Sequence, residues 1–209
     1  YQEVNLLVIE SHSTDSTAER CESILEKSSL GEERWKVLTI DEPGKSRAVN
    51  LALGRITDDI TIMMDTDTIT RDWLRKIWSI MSDREIAVVS GLESSEKSKN
   101  ARQNYRKTSD LIRKAEAFLG STPVVEGGLI AWRTKVFNDF KLNHTANADD
   151  AQIAIEGIRR GYRVIVSESL EFEDTKHERY NFKRSLRRSQ GLSRALFGNS
   201  DLLLRDVDF

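Results

Sequence analysis

A single cysteine, Cys21, occurs in the 209 residues, so no disulfide can form within the chain. That suits a reducing compartment, and a cytoplasmic location is the expectation. Cys21 falls in an expected helix, which favours packing over nucleophilic chemistry. Proline occurs only at Pro43 and Pro123, so no proline-rich linker divides the chain. No run approaches the ~20 apolar residues of a membrane-spanning helix, and no signal-peptide pattern opens the chain. Charge of one sign is also lacking. The 32 Lys and Arg face 34 Asp and Glu, a net charge of −2. No global field therefore draws the chain to nucleic acid, and none is expected as a partner. Internal repeats and low-complexity tracts are absent as well.

Hydrophobic residues at 38% and charged residues at 32% describe a well-solvated globular chain. Its length suffices for a substantial core, and one domain over residues 1–209 is expected. The chain opens directly on a strand reaching Glu10, as if trimmed from a longer protein. Residues 4–9 form an apolar run suited to a buried parallel strand. Ser13-Thr14-Asp15 offers N-cap chemistry for a helix to about Lys27. Strands are expected at 35–40, 60–64 and 86–90, with helices at about 46–54 and from Thr70 or Asp72 to Ser82. Residues 97–119 are polar and helix-prone. A short strand at 129–132 follows Gly127-Gly128. A helix at 149–160 ends at Gly161, a strand follows at 162–166, and a basic helix spans 178–197. Strand–helix alternation points to an α/β sheet with right-handed crossovers. Such sheets bind ligands beyond the carboxyl ends of their strands.

Residues 60–64, apolar except for Thr61, run straight into Asp65-Thr66-Asp67. Two acids spaced i, i+2 at a strand end can share a hard cation with a phosphate, since Mg2+ is usually held by one or two carboxylates plus substrate phosphates. The same spacing also serves ordinary turns, where Asp bonds its own backbone. Gly44-Lys45 before a helix allows close backbone approach and a point charge for phosphate. It is equally a plain turn with a solvated lysine. Asp149-Asp150 opens a helix, where acids complement the helix dipole with or without catalysis.

Four segments then line up. They are Val8-Ile9-Glu10-Ser11-His12-Ser13-Thr14-Asp15-Ser16-Thr17, Gly44-Lys45-Ser46-Arg47-Ala48-Val49-Asn50, Met64-Asp65-Thr66-Asp67, and Ala148-Asp149-Asp150-Ala151-Gln152 with Gly161-Tyr162-Arg163-Val164. In this order they resemble a family 2 glycosyltransferase with the GT-A fold, over roughly residues 4–191. The resemblance implies an α/β, Rossmann-related mixed sheet flanked by helices. By the same resemblance the family's first βα unit, with its Pro-x-Tyr/Phe-Asn-Glu motif, would be missing from this sequence. Residues 1–91 would form the nucleotide-sugar part, and 92–209 the acceptor part with its C-terminal basic helix.

The resemblance also assigns roles. Glu10 stands where the family carries an acid that contacts the base, with a solvent-facing strand end as the alternative. Asp15 reads as a helix-start residue. Lys45 would lie near the diphosphate; Arg47 and Asn50 are weaker candidates, Asn50 serving equally to bond a neighbouring loop. Asp65 would face the ribose and sugar, and Asp67 would hold Mg2+ or Mn2+. Asp150 would be the base of an inverting transfer, with Asp149 supporting it or binding the acceptor. Gly128, after Glu126-Gly127 and before Trp132-Arg133, would line the acceptor side. Trp132 offers either a stacking face or a core ring. The family motif Gln-x-x-Arg-Trp becomes Arg184-Ser185-Leu186-Arg187-Arg188, in which Arg187 alone matches and would clamp pyrophosphate; a solvated or membrane-facing basic face is the alternative. His177 stands where some members add a metal ligand.

The expected partners are a nucleotide-diphosphate sugar and a saccharide or lipid-linked acceptor. The basic helix and the tail 202–209 add a membrane surface as a further expectation, at the cytoplasmic face. Two rival readings stand. One is a binding or scaffolding domain of the same fold without activity. The other is a nucleotidyltransferase, which ranks last because residues 10–15 lack the glycines of a phosphate loop.

Overall fold

Short apolar runs become strands and polar, amphipathic stretches become helices along most of the chain. The computed structural model describes residues 4–94, 101–146, 148–175 and 182–204; within these, only the backbone is described at 101–106, 182, 184, 185, 187, 188, 203 and 204. Contacts divide the chain into two units. One joins residues 1–56 with 141–144, the other 57–140 with 145–209.

In the first unit β1 (Leu6–Ser11) pairs in parallel with β2 (Trp35–Ile40), Leu6 opposite Trp35 and Ser11 opposite Ile40. Helices α1 (Thr17–Glu26) and α2 (Lys45–Leu53) complete it. Two expectations are corrected. The first strand is parallel but not fully buried: Leu6 is exposed and Leu7, Val8 and Ile9 only half-buried, because a two-stranded sheet leaves each strand an edge. Nor does the Ser13-Thr14-Asp15 run cap α1. The helix starts later, after Ser16, whose backbone is left-handed (φ 55°) and whose side chain makes no capping bond. Asp15 accepts a hydrogen bond from the Thr17 hydroxyl instead. Asn50 bonds a neighbouring loop, one of the roles foreseen for it. Its Nδ2 donates to the Leu142 carbonyl at 2.9 Å, and its Oδ1 accepts the Leu142 N–H at 2.8 Å.

The second unit is built on a five-stranded mixed sheet of β3 (Ile60–Met64), β4 (Thr68–Thr70), β5 (Ile86–Glu93), β6 (Leu129–Arg133) and β7 (Arg163–Asp174), in the order β3-β6-β5-β7-β4. The strands β3, β5 and β7 run one way, β6 and β4 the other. The expected α/β sheet is therefore two sheets, one in each unit. β5 lies at the centre, and Ile86 through Leu92 are buried, as its near-continuous apolar sequence requires. β7 is longer than expected because Ser167-Glu168-Ser169 hides its second half. Ser90 lies opposite Val166 while Leu92 lies opposite Glu171, so an irregularity absorbs the polar residues.

Helix α3 (Trp73–Met81) and helix α5 (Asp149–Arg159) cover opposite faces of this sheet. Ile77 and Met81 of α3 pack with Val89, Leu129, Ala131 and Phe172, whereas Gly157 of α5 sits against Val88 and Val164. Neighbouring strand residues such as Val88 and Val89 point to opposite faces. Helix α4 (Ala101–Leu119) lies against β7, and α6 (Phe182–Phe197) brings Ala195 and Leu192 onto Ala148, Ala151 and Ile155 of the α5 region. The residues at 178–181 expected to open this helix lie outside the described residues. Among the described residues no helix is long and apolar enough to cross a membrane.

Candidate active site

The carboxyl ends of β3, β5 and β7 share one sheet edge with the start of β6, because β6 alone of these four is reversed. At that edge the Asp65-Thr66-Asp67 turn is fixed by backbone hydrogen bonds. The Asp65 N–H donates to the Gly128 carbonyl at 3.1 Å, and the Thr68 N–H donates to the Asp65 carbonyl at 3.0 Å, which closes the turn. β4 then pairs with the end of β7, Thr68 opposite Asp174. The Asp67 carbonyl accepts both the N–H of Thr175 (2.8 Å) and its hydroxyl (2.9 Å). The turn is thus tied to the entry of β6 and the exit of β7. Asp65 and Asp67 are half-buried, and Thr66 between them is exposed.

Gly128 stands at this edge for a steric reason. A Cβ on it would lie 2.4 Å from Phe172 Cε2, far inside van der Waals contact. Trp132, for which a stacking face and a core ring were both open, is core: it is 1% exposed and meets Phe137 edge-on, centroids 6.4 Å apart.

Asp149 and Asp150 are the first two residues of α5 and are half-buried. The Ala151 N–H donates to Asp150 Oδ1 at 2.8 Å, and Gln152 Nε2 donates to the Ala146 carbonyl at 3.0 Å, anchoring the helix start. Gly157, near the other end of α5, rests on Val88 and Val164 at the beginnings of β5 and β7. A short turn at Gly161 then leads into β7. The helix consequently runs against these strands, and its acidic N-terminus is directed toward the strand ends that carry the Asp pair.

Among the described residues no three His, Cys, Asp or Glu side chains form a group able to hold a metal by themselves. Two acids on a partly open turn could serve a hard ion that completes its shell with substrate oxygens and water. The residues present fit Mg2+ or Mn2+ in that mode. His177 lies outside the described residues. Arg187 falls within α6, and only its backbone is described.

In the first unit Glu10 is 6% exposed, which replaces the solvent-facing alternative. Its carboxylate accepts from Ser13, and the Ser13 hydroxyl and N–H hold its pKa below the ordinary 4.5. His12, between them, is left-handed (φ 57°). Gly44 has φ 148°, a conformation natural to glycine; its N–H donates to Ser11 Oγ at 2.9 Å, joining the end of β1 to the start of α2. Lys45, the first residue of α2, is exposed. Arg47 is engaged by Glu42 (2.9 Å) and the Pro43 carbonyl (3.1 Å). Thr175 was not legible beforehand, since nothing in a Thr after a strand announces that it holds the carbonyl of an acid more than 100 residues away.

The sequence model of the family described as "Glycosyl transferase family 2" matches residues 1–140. No protein of curated function matches the chain. Several solved structures share the fold. One is mannosyltransferase PcManGT from Pyrobaculum calidifontis in complex with GDP-Man and Mn2+, with TM-score 0.82 at 23% identity over 94% of this chain and 55% of that one. A second is mannosyl-3-phosphoglycerate synthase from Rubrobacter xylanophilus, with TM-score 0.62 at 18% identity, over 98% of this chain and 67% of that one. Glucosyl-3-phosphoglycerate synthase from Mycobacterium tuberculosis, in complex with Mn2+ and uridine-diphosphate-glucose, gives TM-score 0.58 at 16% identity, over 91% and 66%. The chain thus spans about half the length of the first of these structures.

Proposed function

Because the chain belongs to glycosyl transferase family 2, we propose that it transfers a sugar from a nucleotide-diphosphate sugar to an acceptor hydroxyl with inversion at the anomeric carbon. The observation that carries this reading is the edge of the five-stranded sheet. An acidic turn tied to β6 and β7 lies where the strands end, and a helix with an acidic first turn is directed to the same edge. The solved structures of this fold with bound Mn2+ and sugar nucleotide support the substrate class.

Asp67, with Asp65 beside it, would hold Mg2+ or Mn2+, which neutralises charge growing on a diphosphate leaving group. Asp65 faces the ribose and sugar in this account. Asp150 takes the proton of the acceptor hydroxyl on the face opposite the leaving group, as inversion requires. Asp149 supports Asp150 or binds the acceptor. Gly128 would present its backbone to the sugar at the acceptor side. Glu10 and Lys45, in the first unit, are proposed as contacts to the base and the diphosphate; Arg187 and His177 are proposed as a pyrophosphate clamp and an added metal ligand. Residues 1–91 serve the donor and 92–209 the acceptor, a saccharide or a lipid-linked hydroxyl compound at the cytoplasmic face of a membrane.

The reading is tested by incubating the protein with individual nucleotide-diphosphate sugars and Mn2+, with and without chelator, and following release of nucleoside diphosphate. Release that requires the ion and is lost in Asp67→Asn is expected. Binding of nucleoside diphosphate equally tight with and without Mn2+ contradicts the role of Asp67. The departure of residues 184–188 from the family motif favours a second reading, a sugar-nucleotide-binding domain without turnover; ion-dependent binding with no release by any donor would establish it.

A further inference from the structure

A charge network behind the entry of β6 has no part in the roles assigned so far. Arg113, on the inner side of α4, donates from Nη1 to Glu126 Oε1 at 2.5 Å and to Asp110 Oδ1 at 3.3 Å. The Arg113 and Glu126 side chains are 14% and 17% exposed. Glu126 Oε2 accepts the N–H of Glu93, the last residue of β5, at 3.3 Å. Ser90 Oγ, in the middle of β5, donates to the Glu126 carbonyl at 2.9 Å and accepts the Glu126 N–H at 3.0 Å. Glu126 is therefore held through both carboxylate oxygens and both backbone groups. Two residues later the Gly128 carbonyl accepts the Asp65 N–H. Upstream, the buried Thr122 hydroxyl donates to Glu116 on α4 at 2.6 Å, and the Thr122 N–H donates to the Val164 carbonyl at 2.9 Å. The connection from α4 to β6 is pinned at its start and at its end.

Stability alone does not call for this arrangement. An ion pair shielded from water loses in desolvation much of what it gains in attraction, and a packed apolar pair of similar volume often does as well or better. What the pair adds is one permitted position for residue 126, and through it for the backbone of Gly127 and Gly128.

We propose that Arg113 and Glu126 are positioning residues for sugar transfer, setting the Gly127-Gly128 backbone and the Asp65 turn attached to it at the acceptor side of the site. The proposal rests on the glycosyl-transfer reading above. Neither side chain touches substrate; both act through the β6 entry. Misplacement of reacting groups by about 1 Å costs on the order of a hundredfold in rate. Glu126→Gln keeps the shape of the side chain and removes its charge.

The experiment measures transfer and thermal stability in parallel for the wild type, Glu126→Gln, Arg113→Lys, and the double variant Glu126→Gln with Arg113→Met. Glu126→Gln is expected to lower kcat roughly tenfold to a hundredfold, with the KM for donor unchanged. Arg113→Lys keeps the charge without the planar fork and falls between the two. The double variant removes both charges of the Arg113–Glu126 pair and costs only the longer, 3.3 Å contact to Asp110, so its melting temperature recovers toward that of the wild type while its turnover does not. Turnover that recovers together with stability makes the pair merely structural and overturns the proposal. So does wild-type turnover in Glu126→Gln. Absence of transfer by the wild type with any donor defeats the glycosyl-transfer reading itself, and this proposal with it; transfer by the wild type with unaffected variants defeats this proposal alone.

Discussion

Replacing Gly128 by alanine is a sharp probe of the sheet edge, because it adds one methyl group to a place with no room for it. The new Cβ would lie 2.4, 2.6 and 3.2 Å from Cε2, Cζ and Cδ2 of Phe172. Carbon atoms in contact sit about 3.5–4.0 Å apart, so the overlap is about 1 Å. The ring has little freedom to retreat. Phe172 is 4% exposed and belongs to the cluster with Ile77, Val89, Leu129 and Leu170. A Cβ on Gly91 would meet the same ring at 3.0 Å, so two glycines make space for it. Overpacking of this kind costs about 1–3 kcal/mol. For a chain of 209 residues, each kcal/mol lowers Tm by about 2–4 °C, so Gly128→Ala should melt roughly 2–12 °C below the wild type. Thermal unfolding followed by circular dichroism measures this. Adding Phe172→Leu makes room for the new methyl, so the two substitutions should couple favourably by about 0.5–3 kcal/mol in a double-mutant cycle. An alanine variant that melts with the wild type, or a strictly additive double variant, refutes the steric account.

Three further outcomes follow from local geometry. Asn50→Ala removes both bonds to Leu142 and should cost about 1–3 kcal/mol, with faster amide exchange at Leu142 as the direct sign; unchanged exchange would show that the clamp does not hold residues 141–144. Arg133 donates to the Ile86 carbonyl at 2.8 Å and to the Met81 and Asp83 carbonyls at the end of α3. Arg133→Met should therefore lower the urea midpoint by the equivalent of roughly 1–3 kcal/mol, whereas Lys135→Ala, which breaks an exposed pair with Asp59, should change it by less than about 1 kcal/mol; equal effects would be inconsistent with this ranking. Glu10 has its folded pKa below 4.5, so its ionised form adds stability at pH above that value, and the gain disappears as acid carries the pH down through the folded pKa. Glu10→Gln should flatten the stability curve below about pH 5; a curve of unchanged slope would mean that the Ser13 contacts do not stabilise the ionised form.

The alternation of elements was legible because β3, β5, β6 and the first half of β7 are largely apolar, as in Ile86-Ala87-Val88-Val89. The acidic turn and the acidic start of α5 were legible because chemistry at a strand end or helix start is written in adjacent residues. Long-range ties were not. β4 is three residues, Thr-Ile-Thr, too short to carry a period, and it is a strand because β7 continues far enough to pair with it. That continuation was hidden by the polar run Ser167-Glu168-Ser169. The start of α1 was misplaced because Ser, Thr and Asp all cap helices well, and which of them does so depends on where the chain turns; here left-handed His12 and Ser16 decide it. For Glu10 a solvent-facing strand end stood as the alternative to a contact with the base because acids are usually exposed, yet Ser13 satisfies it inside the fold. Arg113 read as one cation among many on a polar helix, and only the approach of Glu126 singles it out.

The most direct test of the proposed chemistry is the rate of sugar transfer by Asp150→Asn, measured beside its affinity for nucleoside diphosphate in Mn2+. Loss of a positioned base should lower transfer by about a hundredfold to ten-thousandfold, with nucleotide affinity unchanged. Transfer at the wild-type rate in this variant would contradict the account, because the acid at the start of α5 would then have no part in the reaction.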